Sequence, residues 1–148
     1  MRSKKQLGKA VITAAIAVAV LTAMRYGFTS SQIRGKAIAS GRFHQVAHRG
    51  AGLVTIYQLA DKKLLLHLTE FRTDNGQNLQ VLLIAAPDAF ENETVEKVEF
   101  VSVGPLQKSE GDQSYHLPDD LDLSKYKAVT IWSPRYRVNF TTAPLALN

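Results

Sequence analysis

Short apolar and β-branched runs recur from about residue 41 to the end of the chain, and polar or turn-forming residues separate them. Closely spaced runs of this kind are typical of strands, and no helical pattern of comparable length lies between them. We therefore expect an all-β fold, a small antiparallel β-sandwich of about eight strands preceded by one N-terminal apolar helix. The predicted strands are residues 42–47, 53–59, 63–71, 79–85, 98–103, 113–117, 128–132 and 136–141.

Turn-forming residues stand where the strand pattern breaks. Segments 49–52, 60–62 and 74–76 supply Gly, Asp or Asn, which tolerate tight or left-handed backbone. Segment 91–99 is polar and acidic, which predicts a loop. Residues 25–40 show no sustained apolar period, so we expect a tether there and a folded domain over residues 41–148.

Alternation along the last two predicted strands indicates which side chains face the core. Val129, Ile131 and Ser133 fall on one face of the first strand, so we expect Ser133 close to the core. Five aromatic residues in this part of the chain are expected mainly to pack inside the domain, because an aromatic side chain buries a large apolar area. They are Tyr115, Tyr126, Trp132, Tyr136 and Phe140.

Charge divides the chain into two parts. Residues 1–50 contain nine Lys or Arg and no Asp or Glu, whereas residues 51–148 contain nine basic and thirteen acidic residues. The alkaline pI of about 9.6 is therefore a property of the N-terminal segment. A nucleic-acid-binding domain should carry its own basic patch, so we expect no nucleic-acid partner.

The N-terminal segment has the pattern of an export signal or a membrane anchor, residues 1–24. Basic residues at positions 2, 4, 5 and 9 precede an uncharged run from Ala10 to Met24. Cleavage sites after this run are weak, which favours an uncleaved anchor over a cleaved signal or a buried soluble helix. The positive flank predicts an extracytoplasmic domain, periplasmic or at the cell surface, held by residues 10–24, or secreted if the signal is cleaved.

Two C-terminal segments, 111–118 and 126–140, have the order and spacing of a known family. Together with residues 41–83, they resemble the DM-thirteen domain, a β-sandwich module often described as an electron-transfer domain and found beside DOMON redox domains. The resemblance covers about residues 41–145 and implies a redox function. It also places Ser133 where the family typically has a cysteine that is proposed to carry the redox role. The chain contains no cysteine, so direct thiol chemistry at this position is excluded.

The four histidines are the residues that most naturally suggest a metal or haem site. Imidazole binds zinc, copper and iron, so a two- or three-histidine site stays open, although no cofactor is expected from the spacing. Hydrogen-bonded or solvent-facing histidines are the alternative. The four residues are His44, His48, His67 and His116.

Three aspartates, Asp119, Asp120 and Asp122, follow Pro118. Clustered carboxylates suit calcium, although the spacing is not that of an EF-hand. The alternative is a turn or a short helical N-terminus leading to Lys125, since aspartate side chains accept hydrogen bonds from free backbone N–H groups.

Motifs of autonomous enzymes are absent from the chain. It lacks a phosphate-binding P-loop, the dinucleotide-binding glycine pattern and a Cys-x-x-Cys pair. We therefore expect a domain that is not an enzyme, a noncatalytic binding or accessory module of the cell envelope. The alternative, implied by the resemblance, is electron transfer with a cofactor or a redox partner protein.

Overall fold

The computed structural model describes residues 33–148, which form two antiparallel sheets and one short helix. The helix, α1, spans Asn92–Lys97. The strands are β1 (Gly35–Arg42), β2 (His44–Gln45), β3 (Gly50–Leu59), β4 (Leu64–Thr73), β5 (Gln80–Ile84), β6 (Phe100–Pro105), β7 (Gln113–His116), β8 (Ala128–Ser133), β9 (Val138–Pro144) and β10 (Ala146–Leu147).

Each sheet contains five strands. The first has the order β10-β1-β3-β4-β7, and the second has the order β2-β9-β8-β5-β6. All strand pairs within these sheets are antiparallel. The two-sheet architecture and its antiparallel pairing confirm the all-β prediction for the described residues.

The main core lies between the two sheets. Alternate residues of β4 point inward, so that Leu64, Leu66 and Leu68 are buried while Leu65 is only partly buried. Ile131 and Leu83 meet them from the second sheet and are fully buried. Each side chain buried in this way contributes roughly 1.5–3 kcal/mol to folding relative to an exposed position.

A second, smaller apolar cluster covers the outer face of the second sheet. Val95 of α1 and Ala89 of the preceding loop pack with Leu82, Ile84 and Ala128. The main-chain N–H of Asn139 donates to Asn92 Oδ1 at 2.8 Å, which ties the start of the helix to β9. Part of the acidic segment predicted as a loop is therefore a helix, because Val95 supplies an apolar residue that the sheet can bury.

The pairing of β3 with β4 contains a β-bulge, where the register shifts between Ala51 and Leu53. Gly52 has φ 103° and its partner region contains Glu70 with φ 52°. A Cβ at Gly52 would lie 2.7 Å from the Glu70 carbonyl oxygen, so only glycine fits there. The bulge turns the Glu70 N–H outward, where it donates to Asp112 Oδ1 at 2.8 Å.

Two of the predicted strands have different bounds in the structure. The strand predicted at residues 42–47 is interrupted, since β1 ends at Arg42 and β2 contains only His44–Gln45. The strand predicted at residues 136–141 begins later, at Val138, because residues 134–137 form a turn in which Arg137 has φ 56°. Tyr136 is consequently 62% exposed and does not pack in the core.

The predicted tether, residues 25–40, overlaps the first strand, so its C-terminal bound was wrong. Residues from Gly35 onward form β1, which pairs with both β3 and β10, and Ala39 is fully buried. Small residues on this strand carry little apolar signal, and its backbone pairing is what places it in the sheet. The predicted helix at residues 10–24 lies outside the described residues. Within residues 33–148, no helix has the length and apolar character needed to cross a membrane.

Candidate functional site

Ser133 is fully buried at the end of β8, as the alternation predicted. Its backbone pairs with Val138, and Pro134 begins the turn that follows it. The Tyr136 N–H donates to Ser133 Oγ at 3.4 Å, a long hydrogen bond. The side chain therefore helps to close the β8–β9 turn and has no contact with solvent.

A partly apolar pocket adjoins this position. Both chain neighbours of Ser133, Trp132 and Pro134, line a cavity of about 440 Å³. Phe100 also lines this pocket and is 56% exposed. Arg137 lines the pocket as well and forms an ion pair with Glu96, with 3.1 Å between Nη2 and Oε2. This surface offers apolar contact and both signs of charge beside the position that the resemblance assigns to the redox residue.

His44 bridges β2 and the loop before α1. Its Nε2 lies 2.6 Å from Asp88 Oδ1, its Nδ1 lies 3.0 Å from the Gln45 carbonyl oxygen, and the ring stacks on Phe90. Both partners are acceptors, so the ring makes both hydrogen bonds only when each nitrogen carries a proton. Partial burial opposes protonation, but the Asp88 and Gln45 hydrogen bonds outweigh it and raise the pKa of His44.

His48 lies in the bend after β2. Its ring stacks on Phe140 with centroids 3.9 Å apart, and its Nδ1 is 3.2 Å from Asp74 Oδ2. Arg49 donates to the other oxygen of the same carboxylate, with 3.0 Å between Nη2 and Oδ1. Because the strand breaks after Gln45, His44 and His48 do not form the shared strand face that a continuous strand would have given.

His67 is the most unusual of the four histidines. It lies on the outer face of the first sheet, opposite Ser114 in the β4–β7 register, and is fully buried. Its Nδ1 is 2.7 Å from Ser114 Oγ. Among residues 33–148 its Nε2 finds no hydrogen-bond partner, although Asp112 Oδ2 is 4.0 Å away. Burial lowers the pKa of His67, and the nearby Asp112 charge only partly opposes this.

His116 is exposed on the same face as His67. It is the register partner of Leu65, two residues along β7 from Ser114. Ser114, His116 and Leu65 line one open pocket of about 630 Å³. The four histidines therefore divide between the first sheet and the β2 region. Among residues 33–148, no three His, Cys, Asp or Glu side chains lie together as a metal site.

The three aspartates after Pro118 lie in the exposed segment between β7 and β8. Asp122 Oδ1 accepts hydrogen bonds from both the N–H and the hydroxyl of Ser124, and these bonds lower the pKa of Asp122. The Lys125 and Tyr126 N–H groups donate to the Asp122 carbonyl. The carboxylate thus stabilises a turn, which was the alternative to calcium in the sequence prediction.

The 111–118 segment, which carried much of the family resemblance, has a structural use. Tyr115 is buried, and its hydroxyl donates to Gln113 Oε1 and accepts from the Gln107 N–H, at 2.7 and 2.8 Å. Burial raises the pKa of Tyr115 to about 12, although the Gln107 hydrogen bond opposes the shift. Gln113 Nε2 donates to the Lys108 and Gly111 carbonyls. These bonds fix the loop between β6 and β7, so the motif holds Asp112 and Ser114 in place.

Sequence reasoning did not identify Asp112, Ser114, Asp88 or Asp74 as partners of the histidines. Each is far from its histidine in the chain; His67 and Ser114, for example, are separated by 47 positions. Only the sheet register brings them together. For Asp112 and Ser114 the available signal was their position inside the 111–118 segment.

These observations define the class of protein. It is a small antiparallel β-sandwich domain in which a buried serine ends β8 and no thiol is present. The family follows from comparison with known proteins. The family model described as Electron transfer DM13 matches residues 42–145, which is most of the chain, and the chain belongs to this family. The match confirms the resemblance. Comparisons with curated proteins and with solved structures gave no match.

Proposed function

We propose that this protein is an electron-transfer domain whose redox group is not a thiol. The observation that carries the proposal is the match of residues 42–145 to an electron-transfer family in a chain without cysteine. A buried serine hydroxyl at position 133 does not cycle between oxidised and reduced forms as a cysteine does. The electron carrier is therefore a cofactor, a small molecule or a group on a partner protein.

The surface beside Ser133 supports contact with such a partner. Trp132 and the exposed Phe100 line the 440 Å³ pocket, and exposed aromatic side chains are enriched at protein interfaces. The same pocket also supports the second candidate function, a noncatalytic binding module that recognises an envelope partner without redox chemistry. In both functions the domain acts with another molecule and is not an enzyme on its own.

The location is part of the proposal. Basic residues followed by the uncharged run 10–24 support a membrane anchor, with the folded domain on the extracytoplasmic side. An anchored domain meets membrane-bound redox partners at high local concentration, because diffusion is confined to one surface.

Redox titration of the full-length protein, purified from membranes with its bound small molecules, tests the proposal. The expected result is reversible uptake of electrons by the protein, or by the protein with its carrier, at a defined midpoint potential. Absorption spectroscopy and metal analysis then show whether haem, copper or iron is bound; we expect a colourless, metal-free protein. Absence of any reversible electron uptake by the protein, alone or with its membrane fraction, contradicts electron transfer and favours the binding module.

A further inference from the structure

Three polar side chains lie in a row at the outer face of the first sheet, beside a partly apolar pocket. Ser114 Oγ lies 2.7 Å from His67 Nδ1, and Asp112 Oδ2 lies 4.0 Å from His67 Nε2. Asp112 is held by the Glu70 N–H at the β3–β4 bulge. The order along this row is the Ser114 hydroxyl, the His67 imidazole and the Asp112 carboxylate.

The geometry favours one arrangement of protons on Ser114, His67 and Asp112. His67 is buried and its pKa is lowered, so the ring is neutral near pH 7 and has one N–H. Placing that hydrogen on Nε2 directs it toward the Asp112 charge and leaves Nδ1 to accept from the Ser114 hydroxyl. The lone pairs of Ser114 Oγ are then available to accept a hydrogen bond from a ligand.

The pocket that Ser114 lines is suited to a flat apolar ligand. Its volume is about 630 Å³, within the range of roughly 300–1,000 Å³ usual for small-molecule sites. Ile33, Leu59 and Leu65 supply apolar walls. The polar and charged groups of the lining are Arg34, Asp61, Ser114 and His116. An apolar ring with a hydroxyl at its edge matches this combination.

The pocket lies close in sequence to the uncharged run at residues 10–24, and this closeness indicates which ligands it can meet. Residue 24 ends that run, and Ile33 of the pocket wall is nine residues later. Nine residues span at most about 30 Å when fully extended. If residues 10–24 are the anchor, the pocket lies within reach of the membrane, in which lipophilic electron carriers dissolve.

We propose that this pocket binds the ring of a quinol or quinone, with Ser114 Oγ accepting a hydrogen bond from a ring hydroxyl of the quinol. The proposal rests on the electron-transfer function above and names its carrier. The dependence on Ser114, with His67 and Asp112 behind it, distinguishes this site from a general apolar surface.

Oxidation of the bound quinol gives a quinone, two electrons and two protons. One ring O–H bond breaks as its proton passes to Ser114 Oγ, while Ser114 transfers its own proton to His67 Nδ1. The resulting imidazolium directs its Nε2–H toward the Asp112 carboxylate, which stabilises the positive charge. The second proton leaves from the opposite hydroxyl to water. The two electrons pass one at a time to two one-electron acceptors of the ferric haem class on a partner protein, each of which is reduced from ferric to ferrous.

Binding is tested by calorimetric titration of the full-length protein in detergent with menadiol and menadione, with empty micelles as the blank. We expect saturable binding of one ligand per chain. Ser114→Ala should weaken menadiol binding by about tenfold, the upper range for one neutral hydrogen bond. It should affect menadione less. Leu65→Arg should abolish binding of both ligands, and Ser102→Ala, on exposed β6 of the other sheet, is the matched control.

The proton path has a separate readout. At saturating menadiol, His67→Gln should slow oxidation of the bound menadiol by ferricyanide and shift its pH profile. Circular dichroism melting curves confirm that each variant is folded, and His116→Ala, at an exposed position, provides a further pocket variant if Leu65→Arg is unstable.

Three results would overturn the quinol site. They are absence of saturable binding to the wild type, binding that is unaffected by Ser114→Ala and by both pocket variants, and covalent labelling of Ser114 by a fluorophosphonate together with ester hydrolysis. The last would assign the same three side chains to acyl transfer. Reversible electron uptake through a haem or metal without quinol binding would leave the electron-transfer function standing while removing this site.

Discussion

Replacing Ser133 with cysteine puts a thiol at the position that the family resemblance assigns to the redox residue. Ser133 is fully buried, and the natural chain has no cysteine, so Ser133→Cys has a single thiol in a known environment. Burial in apolar surroundings raises a thiol's pKa and limits access by reagents. We expect the variant to fold and its thiol to be unreactive in the native state.

The energetic effect of changing Ser133 should be small. The hydroxyl's hydrogen bond from the Tyr136 N–H is long, at 3.4 Å, and lies in a turn whose other residues are exposed. Ser133→Ala should therefore cost no more than about 1 kcal/mol, which corresponds to a Tm decrease of roughly 4 °C in a small domain. Ser133→Cys adds little volume, and its cost should stay below about 2 kcal/mol.

The assay is the rate of thiol labelling by a chromogenic disulfide, with and without denaturant. A core thiol reacts only when the structure opens, so native labelling should be at least about a thousandfold slower than labelling of the unfolded chain. Ser102→Cys, exposed on β6, should label at nearly the unfolded rate. Native labelling of Ser133→Cys as fast as that control would refute the burial reasoning and indicate that this end of β8 is open.

Three further predictions concern β1, the His44–Asp88 pair and the N-terminal segment. Deleting residues 1–32 should leave cooperative unfolding intact, whereas deleting residues 1–40 should lower stability by several kcal/mol because β1 is lost; equal melting temperatures for the two chains would contradict the place of β1. The pKa of His44 is raised, so its bond to Asp88 contributes fully below about pH 6.5 and is lost as pH rises through the folded-state pKa. Asp88→Asn should remove a stability difference between pH 5.5 and 8 of up to about 1 kcal/mol, measured by urea unfolding, and an unchanged pH dependence would exclude this pair as its source. A reporter fused after Asn148 should be extracytoplasmic and should fractionate with membranes; a cytoplasmic reporter would exclude export, and a mature N-terminus beyond Met24 would exclude the anchor.

Alternation in sequence was enough to predict the all-β class and the burial of Ser133. Val129, Ile131 and Ser133 fall on one face of β8, because successive side chains of a strand point to opposite faces of the sheet. The same rule was wrong for Tyr136, because it assumes that the strand continues, and the turn at residues 134–137 is set by backbone conformations such as the positive φ of Arg137. Strand ends depend on the partner strand, which a single segment of sequence does not specify.

The candidate site was only partly accessible from sequence. His67 could be placed on the same face as Leu65, since both lie on one strand. Its burial and its contact with Ser114 depend on the β4–β7 register, which joins segments distant in the chain. The strand β1 was missed for a related reason: Gly35, Ala37 and Ala39 carry little apolar signal, and the strand is defined by hydrogen bonds to β3 and β10.

The pairing of β10 with β1 determines how the domain responds to a pulling force. Asn148 N–H donates to the Ile38 carbonyl, and Ala146 pairs with Ser40, so the start of β1 and the end of β10 lie at the same end of the pair. Tension between an N-terminal attachment and a load at Asn148 would separate these strands one hydrogen bond at a time, as a zipper opens. The pair would yield at lower force than strands that must slide past one another.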